Sequence, residues 1–337
     1  MFDCLWNTSI FQGILYLSAV ILVFLIIRYF IEQLQLPDLR NKAVLITGCD
    51  TGFGRGLALK CLENNMPVFA GCLTNEGIKS LTQASHQYSG ILDAFLMDVT
   101  SDESVQKITK QLETKLTKYN GLHAVVNNAG ITGKHINDDF LTIDEYKKVA
   151  DINLWGAIRT TQYMKKLLKM AKGRVITVAS ICARVGLPGL GPYSVTKYGI
   201  SAYCDVIRQE LRPFGVSVHI LEPGFFDTPL INRQKIDKEV QEAWSDAPIE
   251  VKEEYGEQFF IETRKSIQQF LDSIASDKIS LVIDAYYHAI TSKYPRSRYQ
   301  IGLDSILFFI PFSYLPTGLQ DYFFAFIGLF LPKPASI

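Results

Sequence analysis

The chain has 337 residues, and its 34 lysines and arginines balance 34 aspartates and glutamates, leaving no formal net charge. That balance argues against a general nucleic-acid binder, which needs a basic face, and 48% hydrophobic against 20% charged residues excludes a disordered chain. Six scattered cysteines, with no CxxC pair and no His/Cys cluster, argue against a metal site or a disulfide framework and predict free thiols in a reducing compartment.

The first element is apolar. Ile10 to Ile27 contains no charged residue, and its 18 positions span about 27 Å as a helix, near the thickness of a bilayer core. Arg28, Tyr29 and Phe30 follow as interfacial anchors. No Lys or Arg precedes the run and no small-x-small site follows it, which favours an uncleaved signal anchor over a cleaved signal peptide. Arg28, Arg40 and Lys42 lie after the span, so the positive-inside rule places the bulk of the chain in the cytosol. The sequon Asn7-Thr8-Ser9 sits too close to the membrane to be read as more than chance.

From about Asn41 to Gly302, short β-branched runs alternate with longer helical stretches. The predicted strands are Ala43–Thr47, Pro67–Cys72, Ile91–Met97, Ala124–Asn127, Arg174–Ala179, Val216–Leu221 and Arg298–Gly302. Predicted helices lie near Gly54–Asn64, Asp102–Lys118, Thr142–Met170 and Tyr193–Arg212. Runs such as Val44-Leu45-Ile46 suit strands buried on both faces, and the alternation predicts an α/β fold: a Rossmann-type, doubly wound parallel sheet in one domain. Ligands bind such sheets beyond the carboxyl ends of the strands, so the residues there are the candidates.

After the first strand, Gly48-Cys49-Asp50-Thr51-Gly52-Phe53-Gly54 opens a helix. Glycines let the backbone approach a pyrophosphate, and the helix N-terminus supplies N–H donors; the spacing is GxxxGxG rather than GxGxxG. After the third strand, Asp98 can accept from an adenine amino group, while Thr100-Ser101-Asp102-Glu103 also reads as a helix cap. Asn127-Asn128-Ala129-Gly130 follows the fourth strand: the amides can tie strands together, and Ala129 and Gly130 leave room for a flat group. Ser180 follows the fifth strand, and Tyr193 and Lys197 share one helix face four residues apart. Tyr-x-x-x-Lys alone is commonly a solvated pair. With Ser180 and the glycine turn it reads as a base, since an ammonium favours the phenolate. Asn153 sits inside a predicted helix, where asparagine is a poor former. After the sixth strand, Pro223-Gly224 and Thr228 can fold over the nicotinamide side of a dinucleotide, with helix capping an equal alternative for Thr228.

Taken together, TGxxxGxG, NNAG and Ser…YxxxK resemble the short-chain dehydrogenase/reductase family over roughly Asn41 to Ala335. The glycine loop with Cys72-Leu73-Thr74, the segments around Trp244–Glu257 and Tyr294–Tyr299, and the ending Leu331-Pro332-Lys333-Pro334 look like its microsomal retinol and 17β/3α-hydroxysteroid dehydrogenase subgroup. The resemblance implies that Tyr193 is the general acid/base, that Lys197 holds the ribose hydroxyls and depresses the tyrosine pKa, that Ser180 binds the substrate oxygen, and that Asn153 positions a relay water. It implies an NAD-dependent alcohol oxidoreductase with a retinoid or steroid substrate, an endoplasmic reticulum membrane location, and pairing into a homodimer as one assembly. Cofactor contacts are expected from Gly48, Asp50, Thr51, Gly52, Phe53, Gly54, Cys72, Asp98, Asn127, Ala129, Gly130, Tyr193, Lys197, Pro223, Gly224 and Thr228. NAD is favoured over NADP because Asp50 lies in the loop and no Arg or Lys follows Cys72 before Lys79, although no acidic ribose partner follows the second strand.

The domain reading is an anchor over 1–31, a catalytic domain over 40–305 with a substrate lid at about 225–279, and an apolar C-terminal segment over 306–337. In that last segment Ile306–Phe312 and Tyr322–Leu331 are each too short to span, leaving a core cap and a membrane-interface segment equally open. Two rivals stand beside the main reading: a 3-hydroxybutyrate-type dehydrogenase, for which Arg184 is the nearest cationic anchor, and a catalytically silent cofactor- or lipid-binding scaffold.

Overall fold

A computed structural model describes residues 2–335. Seven parallel strands form one sheet: β1 (Val44–Thr47), β2 (Val68–Cys72), β3 (Leu92–Leu96), β4 (Ala124–Asn127), β5 (Arg174–Val178), β6 (Ser217–Pro223) and β7 (Arg298–Ile301). Their order is β3-β2-β1-β4-β5-β6-β7, which is the doubly wound arrangement. Every predicted strand is present. β1, β2 and β4 are buried throughout, because helices cover both faces of the sheet.

The helices are α1 (Phe2–Glu32), α2 (Gly52–Glu63), α3 (Asn75–Ser85), α4 (Asp102–Lys115), α5 (Ile143–Ala150), α6 (Ala157–Ala171), α7 (Gly191–Leu211), α8 (Arg233–Asp246), α9 (Ile249–Ile274), α10 (Ser280–Thr291), α11 (Ile310–Ser313) and α12 (Thr317–Gly328). One core, with α4, α6 and α7, holds Leu45, Val105, Leu112, Met164, Val175 and Ile200. The opposite core, with α2 and α10, holds Ile46, Leu57, Leu62, Val126, Val282 and Tyr286. The predicted helix Thr142–Met170 is one run, α5 to α6, but widened into a π-turn at Asp151–Gly156. α3 and α10 lie outside the predicted helices. α3 is short, and its buried face is only Gly77 and Leu81.

The segment expected as a lid is α8 and α9, with a core of its own. Phe140, Ile236, Val240, Tyr255 and Phe259 close over one another, and Trp244 stacks on Phe260 with centroids 4.8 Å apart. Arg264 clamps Asp237 through two 2.7 Å bonds, and Gly256 (φ 80°) kinks α9. Its base is cinched by Ser276 N–H on Phe225 O and Asp227 N–H on Ser276 O.

Both apolar ends flank β7. α1 contains one stretch, Phe11–Glu32, long and apolar enough to cross a membrane. Its end is fastened to the body: Arg296 Nε donates to Glu32, His288 Nε2 lies 2.9 Å from Glu32 O, and Leu36 N–H donates to Thr291 O. At the other end of β7, Phe309 and Phe312 pack on Ile181, Cys182 and Leu190, while Leu307, Tyr322, Phe326 and Phe330 stay exposed. The inner face of the C-terminal segment is thus a core cap.

His123 and His219 are buried beside the backbone carbonyls of Ile290 and Arg296, and burial pulls each pKa from 6.5 to about 4. The unfolded chain therefore binds more protons between pH 6.5 and 4, so stability is lost as the pH falls through that window. The melting temperature should drop between pH 6.5 and 5, less steeply in the His123→Gln, His219→Gln double variant. Equal slopes in the two proteins would contradict the assignment.

Candidate active site

The site is built where β1 and β4 part. Thr47 Oγ1 donates to Val126 O and accepts the Asn128 and Ala129 N–H groups, each at 3.1 Å. The Asn128 amide donates to the carbonyls of Thr47 and Gly48, and its oxygen accepts from Tyr286 OH. Gly48 (φ 69°) and Gly52 (φ 59°) adopt the left-handed backbone that side chains disfavour. A Cβ on Gly54 would stand 2.3 Å from Gly48 O, and one on Gly48 would stand 2.9 Å from Ala129 Cα. This glycine cradle opens on the N-terminus of α2, and Thr51 ahead of that helix makes no side-chain cap. The arrangement suits a phosphate-bearing ligand.

Asp50 leaves the loop and reaches the turn after β2. Its carboxylate accepts from Leu73 N–H, Thr74 N–H and the Thr74 hydroxyl at 2.8–2.9 Å. The acidic group that the sequence lacks after the second strand is therefore supplied through space. Cys72 ends β2 fully buried, and burial raises its thiol to about 12. Asp98 accepts from Thr100 N–H and hydroxyl through Oδ1, and Ser101 rather than Asp98 caps α4. Asn127 turns into the core, donating to Thr161 and Thr177, so any ligand contact there falls to its backbone. Of the two asparagines expected to tie strands together, Asn128 is the amide that holds the loop. Only strand register separates the two asparagines.

Ser180, Tyr193 and Lys197 line one cleft, together with Phe53, Gly130, Pro223, Gly224 and Thr228. Its walls are mostly apolar: Ile181, Leu190, Phe225, Phe226, Leu230 and Ile231. Ser180 Oγ accepts from Cys182 N–H. Lys197, 3% exposed, sits 5.3 Å from the Tyr193 ring centroid and donates to Val178 O. Burial pulls its ammonium down to about 8.

The Tyr193 phenol stands above its ordinary value rather than below it. Burial dominates, the Cys182 thiol adds to the rise, and the Ser180 hydroxyl acts in the opposite direction. Lys197 is not among the groups that shift the phenol, so the depression expected from it is not supplied by the protein alone. Thr228 caps no helix, which leaves its hydroxyl for the cleft. Gly224 is required by packing, since a Cβ there would fall 2.0 Å from Asp304 Oδ2.

Asn153 lies in the π-turn with its amide fully engaged: Oδ1 accepts Ile131 N–H at 2.8 Å, and Nδ2 donates to Ile131 O and Thr196 Oγ1. It pins the loop after β4 to the helix carrying Tyr193 and Lys197. Arg184 is spent on fully buried Glu222, which also binds Arg298. This removes the anchor that a small-acid substrate would need.

These motifs stand in the order and geometry of a short-chain dehydrogenase, and the family model described as "short chain dehydrogenase" matches residues 42–239. The chain belongs to that family: it is an oxidoreductase acting on CH–OH donors and taking a nicotinamide dinucleotide. Among curated proteins it is 38% identical to a 17-beta-hydroxysteroid dehydrogenase type 6 of Bos taurus, over 96% of this chain and 99% of that one. It is likewise 38% identical to a retinol dehydrogenase 7 of Mus musculus, over 91% and 95% of the two chains. In fold it is similar to a short-chain dehydrogenase from Streptomyces avermitilis, with a TM-score of 0.64 at 22% identity over 85% of this chain and 95% of that one.

The glycine cradle gives a direct test. Gly54→Ala should weaken dinucleotide binding roughly tenfold or more by pushing Gly48 and Asn128 out of place. Titration of intrinsic fluorescence with the reduced cofactor would read it, and wild-type affinity would refute the packing argument.

Proposed function

We propose that the protein is a membrane-anchored, NAD-dependent dehydrogenase of hydrophobic alcohols, either retinoids or hydroxysteroids. The observation that carries this is the apolar cleft whose polar floor is Ser180, Tyr193 and Lys197. The names of the similar enzymes, retinol dehydrogenase and hydroxysteroid dehydrogenase, point the same way.

In this reading Gly48, Thr51, Gly52 and Gly54 cradle the pyrophosphate, with Phe53, Cys72, Ala129 and Gly130 lining its path. Asp98 faces the adenine, Asn127 contributes backbone only, and Pro223, Gly224 and Thr228 hold the carboxamide end. The dinucleotide supplies or accepts the hydride. Ser180 holds the alcohol oxygen as it becomes a carbonyl, and Tyr193 takes its proton. Lys197 binds the ribose and favours the phenolate once a cationic ring lies beside Tyr193. Asn153 acts by positioning, through Thr196 and the Ile131 loop. α8 and α9 close over the cleft and exclude water.

NAD is preferred to NADP because a 2′-phosphate at the turn after β2 would meet the Asp50 carboxylate. Arg55, the nearby cation, donates to Ser80 O through Nη2 and leaves Nη1 without a partner among the described residues, so the preference rests on Asp50. The anchor spans the endoplasmic reticulum membrane with the catalytic domain in the cytosol, on the strength of Arg28, Arg40 and Lys42 after the span. The exposed face of α12, with Leu319, Tyr322 and Phe326, lies on the same membrane. Pairing of two copies would use α5, α6 and α7, where Ile143, Trp155 and Val195 line a shallow exposed hollow.

Three measurements test the reading. Tyr193→Phe should lower kcat by roughly 10² to 10⁴ while retaining cofactor binding; full activity would overturn it. Because burial holds the phenol high, alcohol oxidation should rise from pH 7 to pH 9, and a flat profile would remove Tyr193 as the base. NAD should exceed NADP in kcat/KM by roughly tenfold or more, and Asp50→Asn should narrow the gap. Equal use of the two cofactors by the wild type would contradict the role of Asp50.

A further inference from the structure

His135 lies on the loop between β4 and α5 and lines the same cleft as Ser180 and Tyr193. It is 8% exposed, and its Nδ1 is buried with no hydrogen-bond partner among the described residues. Such an unmet polar atom is costly unless a ligand completes it. The next residue, Ile136, packs with Ile231 and Ile236 of the lid, so His135 stands on the lid side of the cleft.

The other polar side chains lining the cleft are accounted for. Asn128 is spent on the glycine loop and Thr132 donates to Gly133 O. Ser180, Tyr193 and Lys197 serve the reacting end, and Thr228 the cofactor side. Burial draws the His135 imidazole down to about 4, with Lys235 adding to the fall and the Gly133 backbone opposing it. At neutral pH the ring is therefore uncharged, and an uncharged imidazole suits an uncharged hydroxyl or carbonyl rather than a carboxylate.

We propose that His135 hydrogen-bonds a second oxygen of the substrate, so that the cleft selects an apolar alcohol bearing a further hydroxyl or carbonyl over one with a single oxygen on a hydrocarbon frame. This rests on the assignment of Ser180 and Tyr193 as the reacting end. It narrows the two substrate classes to the hydroxysteroid type, since retinol carries one oxygen.

Full-length protein in detergent with saturating NAD is assayed on 5α-androstane-3α,17β-diol, on 5α-androstan-3α-ol, which lacks the second oxygen, and on all-trans-retinol. The wild type should favour the diol over the mono-ol by roughly tenfold or more in kcat/KM, chiefly through KM. His135→Phe should bring that ratio near one, whereas His135→Gln, which keeps hydrogen-bonding capacity, should retain most of it. A wild-type ratio near one, or a ratio preserved in His135→Phe, overturns the proposal, as does a wild type that uses retinol better than both steroids. If His135→Phe fails to fold, the wild-type ratio and the His135→Gln ratio decide. Absence of turnover on every probe and on a wider alcohol panel would instead sink the dehydrogenase reading of this cleft.

Discussion

The seam between β1 and β4 governs this structure. Two parallel strands that part at their carboxyl ends leave backbone groups without ladder partners, and those groups must be satisfied. Here Thr47 and Asn128 do so, taking up the carbonyls of Thr47, Gly48 and Val126 and the amides of Asn128 and Ala129. The glycine loop is thereby fixed against the fourth strand, and its close contacts leave no room for a Cβ at Gly48 or Gly54. The position of α2, the reach of Asp50 to the second strand and the floor of the cleft all follow from this lock.

Desolvation sets the electrostatics of the site. It raises the Tyr193 phenol and lowers the Lys197 ammonium, so burial shifts both groups toward their neutral forms, while the ammonium still predominates at pH 7. A buried base poised high gains most when positive charge arrives beside it. A second network lies nearby, where Glu222 is held between Arg184 and Arg298 and Arg298 reaches Asp205. Only the Glu222 carboxylate is fully buried, so the network ties the β6–β7 edge together chiefly by keeping that charge paired. That edge carries both Gly224 and the start of the apolar C-terminal segment.

The chain ends divide the hydrophobic excess differently than composition alone indicates. α1 is exposed over its apolar length, whereas the C-terminal segment is two-faced: Phe309 and Phe312 seal the wall behind Tyr193, and Leu307, Phe326 and Phe330 face outward. Sealing the wall excludes water from the cleft, and the outward face provides apolar surface next to it.

Several parts of this protein were legible from residue order because local physics dictates them. Buried parallel strands read as continuous apolar runs, a glycine turn must precede a phosphate-facing helix, and an i, i+4 pair must share a helix face. The seven strands, the glycine loop and the Ser180, Tyr193 and Lys197 grouping were visible for those reasons. Other assignments depended on groups far apart in sequence. The choice between Asn127 and Asn128 turns on which face of β4 each presents. Asp50 substitutes for an acid missing after β2 because two loops meet in space, and the engagement of Arg184 by Glu222 appears only once β6 packs beside the turn after β5. The π-turn that seats Asn153, and the unmet nitrogen of His135, leave no periodic trace at all. Burial and hydrogen-bond satisfaction are properties of the assembled core, and only the tertiary structure decides them.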